Sequence, residues 1–159
     1  MTQEKLKKAL LSVNWGLNVD RFVEEASLSG IVSNCNLRLA LWSKQFEIND
    51  KDNPALSFIR EMQTAGHHVA ALTALALYKP AAASMRTILE TALYYTYFRT
   101  HISELSTLVR NPRYFVYKST LIDYHKIHTP NFTNLQNHFA LIKSLNEWYN
   151  EISAIIHGQ

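Results

Sequence analysis

The sequence predicts an all-α fold, an antiparallel helical bundle. Apolar residues recur at three- and four-residue spacing through most of the 159 residues, and no stretch of useful length alternates apolar and polar with period two. Only 4 Gly and 4 Pro are present, too few for a loop-rich or β-rich design. The length suits one domain with a real core, and 47% hydrophobic with 18% charged residues is an ordinary globular balance.

In chain order, residues 3–13 carry Leu6, Leu10 and Val13 on one helical face with lysines opposite, before Gly16 and Asn18 interrupt. The pattern restarts over 20–28, breaks at Ser29-Gly30, and resumes over 31–46 with Leu37, Leu41 and Trp42. Residues 49–54 are polar and end in an Asn-Pro helix start, the clearest linker in the chain. A helix follows over 54–78 with a kink or break expected at Gly66. Tyr78-Lys79-Pro80 turns the chain into the helix that organises the rest, 80–99, which extends toward Val109. Its buried stripe is expected at Met85, Leu89, Ala92 and Thr96. Asn111-Pro112 ends that run. An amphipathic stretch over 113–127 follows, then a loop at Thr129-Pro130-Asn131, and a last helix over 134–157. The bundle is expected over 54–159, its central pair being 81–99 and 134–157, with 1–48 a helical N-terminal extension of the same single domain.

Composition narrows the function classes. The N-terminus has no apolar run after its lysines, so no signal peptide is expected, and no window approaches the length of a spanning helix. The single cysteine, Cys35, excludes an internal disulfide and fits a reducing, cytoplasmic setting. A net charge of +3 permits nucleic acid as a partner without arguing for it. The four glycines are scattered, so no phosphate-cradling loop is present. His67-His68 and His125-x2-His128 lack the carboxylates that would complete a metal site, so no metal or cofactor is expected.

Three groups of side chains carry chemistry. Arg86, Glu90 and Tyr94 stand four apart in a segment short of charge. Arg placed N-terminal to Glu is the weaker orientation for a surface pair, so an interior or cleft ion pair is expected, its plainest role being to pin two helices. At the C-terminus Tyr149, Ser153 and His157 also stand four apart, with Gly158 as a stop. There His157 is either a general acid or base, or a terminal histidine satisfied by Ser153. Between them, Arg99, Arg110, Arg113, Lys118 and Lys126 interleave with Tyr114, Phe115, Tyr117 and Tyr124. That pattern suits single-stranded nucleic acid and equally a solvated basic face, with Phe115 and Tyr124 assigned to the core.

The pairing of 83–90, Ala-Ser-Met-Arg-Thr-Ile-Leu-Glu, with Tyr149-x3-Ser153-x3-His157-Gly158 resembles the HEPN superfamily, over about residues 54–159. Those are small helical bundles common in prokaryotic toxin–antitoxin, abortive-infection and other phage-defence proteins. The resemblance implies a homodimer in which two C-terminal motifs form one metal-independent RNase site, with an Arg separated from the terminal His by four to six residues. Here His157 matches the histidine, but the Arg position falls on Asn150, Glu151 or Ile152. Metal-free cleavage by a 2′-hydroxyl needs an acid, a base and positive charge on the phosphorane. Asn150 donates a hydrogen bond but neutralises nothing, which leaves Arg86 as the replacement cation. The expectation is a dimerising module that binds RNA or a partner protein, through Tyr149, Ser153, Glu90, Arg113 and Lys118, without robust catalysis. The alternative is an active endoribonuclease using His157, Arg86 and Asn150. A purely structural helical protein is the third class.

Overall fold

A computed structural model describes residues 2–158, and among them the fold is all-α, with nine helices and no strand. They are α1 (Gln3–Leu11), α2 (Trp15–Glu24), α3 (Ala26–Asn49), α4 (Leu56–Ala74), α5 (Tyr78–Phe98), α6 (Ile102–Arg110), α7 (Lys118–His128), α8 (Phe132–His138) and α9 (Leu141–His157). Among the described residues no helix is long and apolar enough to cross a membrane.

The most extensive packing is between α4 and α5, an antiparallel hairpin closed by residues 75–77. Ala76 takes a left-handed conformation there (φ 59°), and the Leu77 N–H bonds back to the Leu72 carbonyl, which stops α4 and reverses the chain. Helix α3 lies along α4, and α9 packs along α5. The central pair is therefore α4 with α5, where the periodicity pointed to α5 with the C-terminal helix: a three-residue turn joins α4 and α5 along their full length. Ile59 and Met62 of α4 meet Tyr95 and Phe98 of α5 in the core, which Leu105 and Leu121 extend under α6 and α7. The linker is tied down as well as polar. Asp50 accepts from the Tyr95 hydroxyl (2.5 Å) and from Arg99 Nη2 (2.8 Å), and Asn53 Nδ2 donates to the Arg99 carbonyl.

Several expected breaks do not occur, and others fall elsewhere. Ser29-Gly30 lies inside an unbroken α3. Gly66 neither kinks nor ends α4; it is the crossing point of α3, where a Cβ would stand 2.6 Å from Asn36 Oδ1 and 2.9 Å from Leu39 Cδ1. The glycine there serves close helix approach, not a turn. Helix α5 begins at Tyr78, ends at Phe98, and is separated from α6 by residues 99–101. The 113–127 stretch becomes helical only at Lys118, because 111–117 forms a loop. The last helix is two, divided where Ala140 adopts a left-handed conformation (φ 50°).

Candidate functional site

Helices α5, α7 and α9 enclose a cleft of about 240 Å³ between Arg86, Glu90, Tyr94, Tyr117, Lys118 and Tyr149. Spacing of four along α5 puts Arg86 and Glu90 on one face, and the Arg86 Nε donates to Glu90 Oε1 at 2.8 Å. The same carboxylate oxygen accepts from the Tyr149 hydroxyl of α9 at 3.3 Å. Lys118, the first residue of α7, reaches across to donate to Asn146 Oδ1 at 2.9 Å, one helical turn before Tyr149. Both cations lie over one ring: the Arg86 guanidinium carbon 4.6 Å and the Lys118 Nζ 4.4 Å from the Tyr149 centroid. A ring approached by two cations contributes through its quadrupole, and it helps to hold two like charges in one small volume.

The ion pair is not interior. The Arg86 and Glu90 side chains are 35% and 46% exposed, so they form a cleft wall open to solvent. The segment is short of charge because its other faces pack on α4 and α9, which says nothing of the face carrying Arg86. The hydrogen bond to Glu90 holds the guanidinium firmly protonated, above its already high value. Burial raises the Tyr149 phenol, so that group remains a neutral donor.

The first turn of α7 borders the cleft, has no side-chain cap, and carries no acidic residue. Its free N–H groups and the positive end of the helix dipole add to the cations. Phe115 and Tyr117 stand on the loop just before it, ring centroids 4.7 Å apart in an edge-to-face pair, both more than half exposed. Phe115 is thus a surface residue and not a core one; Val116 between them points inward instead. Tyr124 does pack against the core. The wider basic span disperses. Arg99 pairs with Asp50, Arg110 bonds the Ser106 carbonyl, Lys126 pairs with Asp123, and Arg113 is exposed on the loop outside the cleft.

The C-terminal residues separate from this cleft. Tyr149 joins it, Ser153 is half-buried, and Asn150 and His157 are exposed. Among the described residues His157 makes no side-chain hydrogen bond, to Ser153 or to anything else. It follows Tyr149 by eight residues, about 12 Å of helix rise. Since Arg86 is engaged with Glu90 and Tyr149, His157 and the replacement cation do not meet within one chain. Asn146, the Lys118 partner, escaped the sequence reading, although its place three residues before Tyr149 puts both on one face of α9.

The other polar clusters are structural in geometry. Glu104 accepts from Tyr97 (3.0 Å) and Tyr114 (2.6 Å), and burial of the one and that hydrogen bond to the other push both phenols up to about 12. His125 is held between Thr129 and Thr96, and burial lowers its pKa. Among the described residues, no three His, Cys, Asp or Glu side chains converge as metal ligands would.

Comparison of the chain with protein-family models, with curated proteins and with solved structures finds no match, so the HEPN resemblance rests on the residues quoted for it.

Proposed function

We propose that this chain is a HEPN-like helical module that binds single-stranded RNA in the α5–α7–α9 cleft and does not cleave it robustly on its own. The observation that carries the reading is the convergence of Arg86 and Lys118 on the Tyr149 ring beside an uncapped helix start. Two fixed cations and free backbone N–H groups suit a phosphate, and the exposed Phe115–Tyr117 pair next to them offers faces for bases to stack on. Glu90 neutralises one of the two cations, so the cleft keeps a net positive charge. The role in a prokaryotic defence or toxin–antitoxin system is the setting that the resemblance implies.

The absence of cleavage follows from the residues available for it. Stabilising the phosphorane calls for a cation beside the acid and base, and loss of such a donor costs about 2.7–4 kcal/mol, a hundred- to a thousand-fold in rate. Asn150 cannot supply the charge, and Arg86 is committed to Glu90 and to the Tyr149 ring, while His157 lies about 12 Å further along α9 than Tyr149. The test incubates purified protein with total RNA in EDTA, beside Arg86→Ala, Lys118→Ala and His157→Ala variants. The expected result is retention of intact RNA in a gel shift, lost in the first two variants and kept in the third. Cleavage that vanishes in His157→Ala, leaving 2′,3′-cyclic phosphate ends, would establish the nuclease reading instead. Neither retention nor cleavage would refute RNA as the ligand.

A further inference from the structure

Leu89, Ala92 and Thr96, members of the stripe that periodicity marks as buried, line an open groove beside α9, but their helix is held by its packing on α4. Helix α1 has no such support. Among the described residues no other helix packs against it, and every residue from Gln3 to Leu11 is exposed. Its last turn is tied to the start of α2 by a bond from Trp15 Nε1 to the Leu10 carbonyl at 3.0 Å. Isolated helices shorter than about 12–15 residues are marginal in water, and α1 has 9. It therefore lacks, within this chain, the apolar surface that normally stabilises a short helix.

The pattern of α1 indicates the surface it suits. At 100° per residue, Leu6, Ala9 and Leu10 form a strip about 100° wide, and Leu11 falls outside it at the helix end. Leu6 is 43% and Leu10 52% exposed, and Val13, just beyond the helix, is 40% exposed. Lys5 and Lys7 stand about 100° to either side of Leu6, at the two edges of the strip, and Lys8 stands opposite. Among the described residues none of the three lysines forms an ion pair, and Glu4 is the helix's single acidic residue. Lysines at the edges of an apolar strip lay their stems along it and hold their ammonium groups level with lipid head groups. Protein and RNA fit this helix less well. A stable protein interface draws on about 20–30 residues a side, more than α1 has, and phosphate contacts alone would leave the leucines in water.

We propose that α1 is an interfacial anchor that lies flat on an anionic lipid surface, its leucines at the acyl boundary and its lysines among the head groups. The helix shares no packing with α5, α7 or α9, so the anchor is independent of the cleft. A few apolar side chains and three cations give weak, reversible attachment that depends steeply on lipid charge and on salt. Each lysine near such a surface contributes about a five-fold gain in partitioning, so the three together favour anionic over neutral lipid on the order of a hundred-fold.

Co-sedimentation of the full chain with vesicles of phosphatidylcholine, alone or mixed with phosphatidylglycerol, tests the proposal. The expected result is binding to the mixed vesicles at low salt, weakened at physiological salt, and on the order of a hundred-fold weaker on the neutral ones. Lys5→Gln and Lys7→Gln should each lose about five-fold, whereas Lys51→Gln, an exposed lysine of the linker, should lose nothing. Leu6→Ser combined with Leu10→Ser should abolish binding. All these side chains are exposed, so the fold survives, as circular dichroism would verify. Absence of binding to the mixed vesicles would overturn the proposal, as would binding indifferent to lipid charge or binding that survives the leucine substitutions. Loss of RNA retention in the doubly substituted Lys5→Gln, Lys7→Gln chain, with vesicle binding intact, would also overturn it and assign the helix to RNA.

Discussion

Removing the Arg86 side chain separates a binding residue from a structural one. A buried ion pair broken by Arg86→Ala would cost about 3–5 kcal/mol of stability, because Glu90 would be left charged and unpaired in a dry interior. The structure gives a smaller figure. With 35% and 46% of the two side chains exposed, water solvates whatever the substitution uncovers. The i,i+4 pair then contributes about 0.3–0.5 kcal/mol, and the contact with the Tyr149 ring adds about 0.5–1 kcal/mol. The expected loss in a urea titration is therefore between about 0.8 and 1.5 kcal/mol. A double-mutant cycle with Glu90→Gln isolates the pair, with an expected coupling below about 1 kcal/mol that shrinks in added salt. A coupling of 3 kcal/mol or more that resists salt would refute the reasoning, and it would return Arg86 to the role of a buried pin.

Four further outcomes follow from the packing. Ser43 is wholly buried, and among the described residues its hydroxyl has no hydrogen-bond partner, so Ser43→Ala should leave stability unchanged or raise it by about 1 kcal/mol in the same titration; a loss above 1 kcal/mol would contradict this. Asp50→Ala strands both the Tyr95 hydroxyl and Arg99, with an expected cost of about 2–4 kcal/mol, and a neutral result would show that the linker is not anchored as described. Ala76→Gly relieves an alanine held at positive φ and should stabilise by about 1 kcal/mol, read as a raised urea midpoint at unchanged slope; a lowered midpoint would refute it. Tyr97 and Tyr114 titrate near 12 when folded against about 10 when unfolded, so their share of stability is complete below pH 10 and falls between pH 10 and 12. Phenolate absorbance should show these two groups silent until the chain unfolds, and their titration at pH 10 in a folded protein would exclude the Glu104 cluster.

The class of the fold was legible because its signals are local. Periodicity of three to four marked most of the helices, and the Asn-Pro pairs at 53–54 and 111–112 marked two loops correctly. The errors share one physical origin. Gly30 and Gly66 were read for the freedom of their backbone, but each sits in ordinary helical conformation, and Gly66 is used for the space its missing Cβ leaves to α3. Conversely, Ala76 and Ala140 take the left-handed turns that end α4 and precede α9, and alanine gives no hint of that. For the site, spacing along one helix was enough to pair Arg86 with Glu90, whereas the contact of Tyr149 with them from α9 is a meeting of two helices that spacing does not contain. That Lys118 joins them from a third helix, while Arg113 five residues earlier does not, is decided by where α7 begins. Exposure was misjudged for the same reason: the burial of Arg86 and of Phe115 depends on which neighbours pack beside them.

The claim that the cleft binds RNA through two fixed cations is tested most directly by the salt dependence of affinity. Log K for a single strand falls with log salt at a slope of about −0.7 per phosphate neutralised. Fluorescence anisotropy with a short labelled single-stranded RNA, from low to physiological salt, should give a steep slope for the wild type. Arg86→Ala and Lys118→Ala should each make it shallower by about 0.7, and the double substitution by about 1.4. His157→Ala should leave it unchanged. Slopes that stay the same in Arg86→Ala and Lys118→Ala would contradict the account and remove the cleft as the place where phosphate is held.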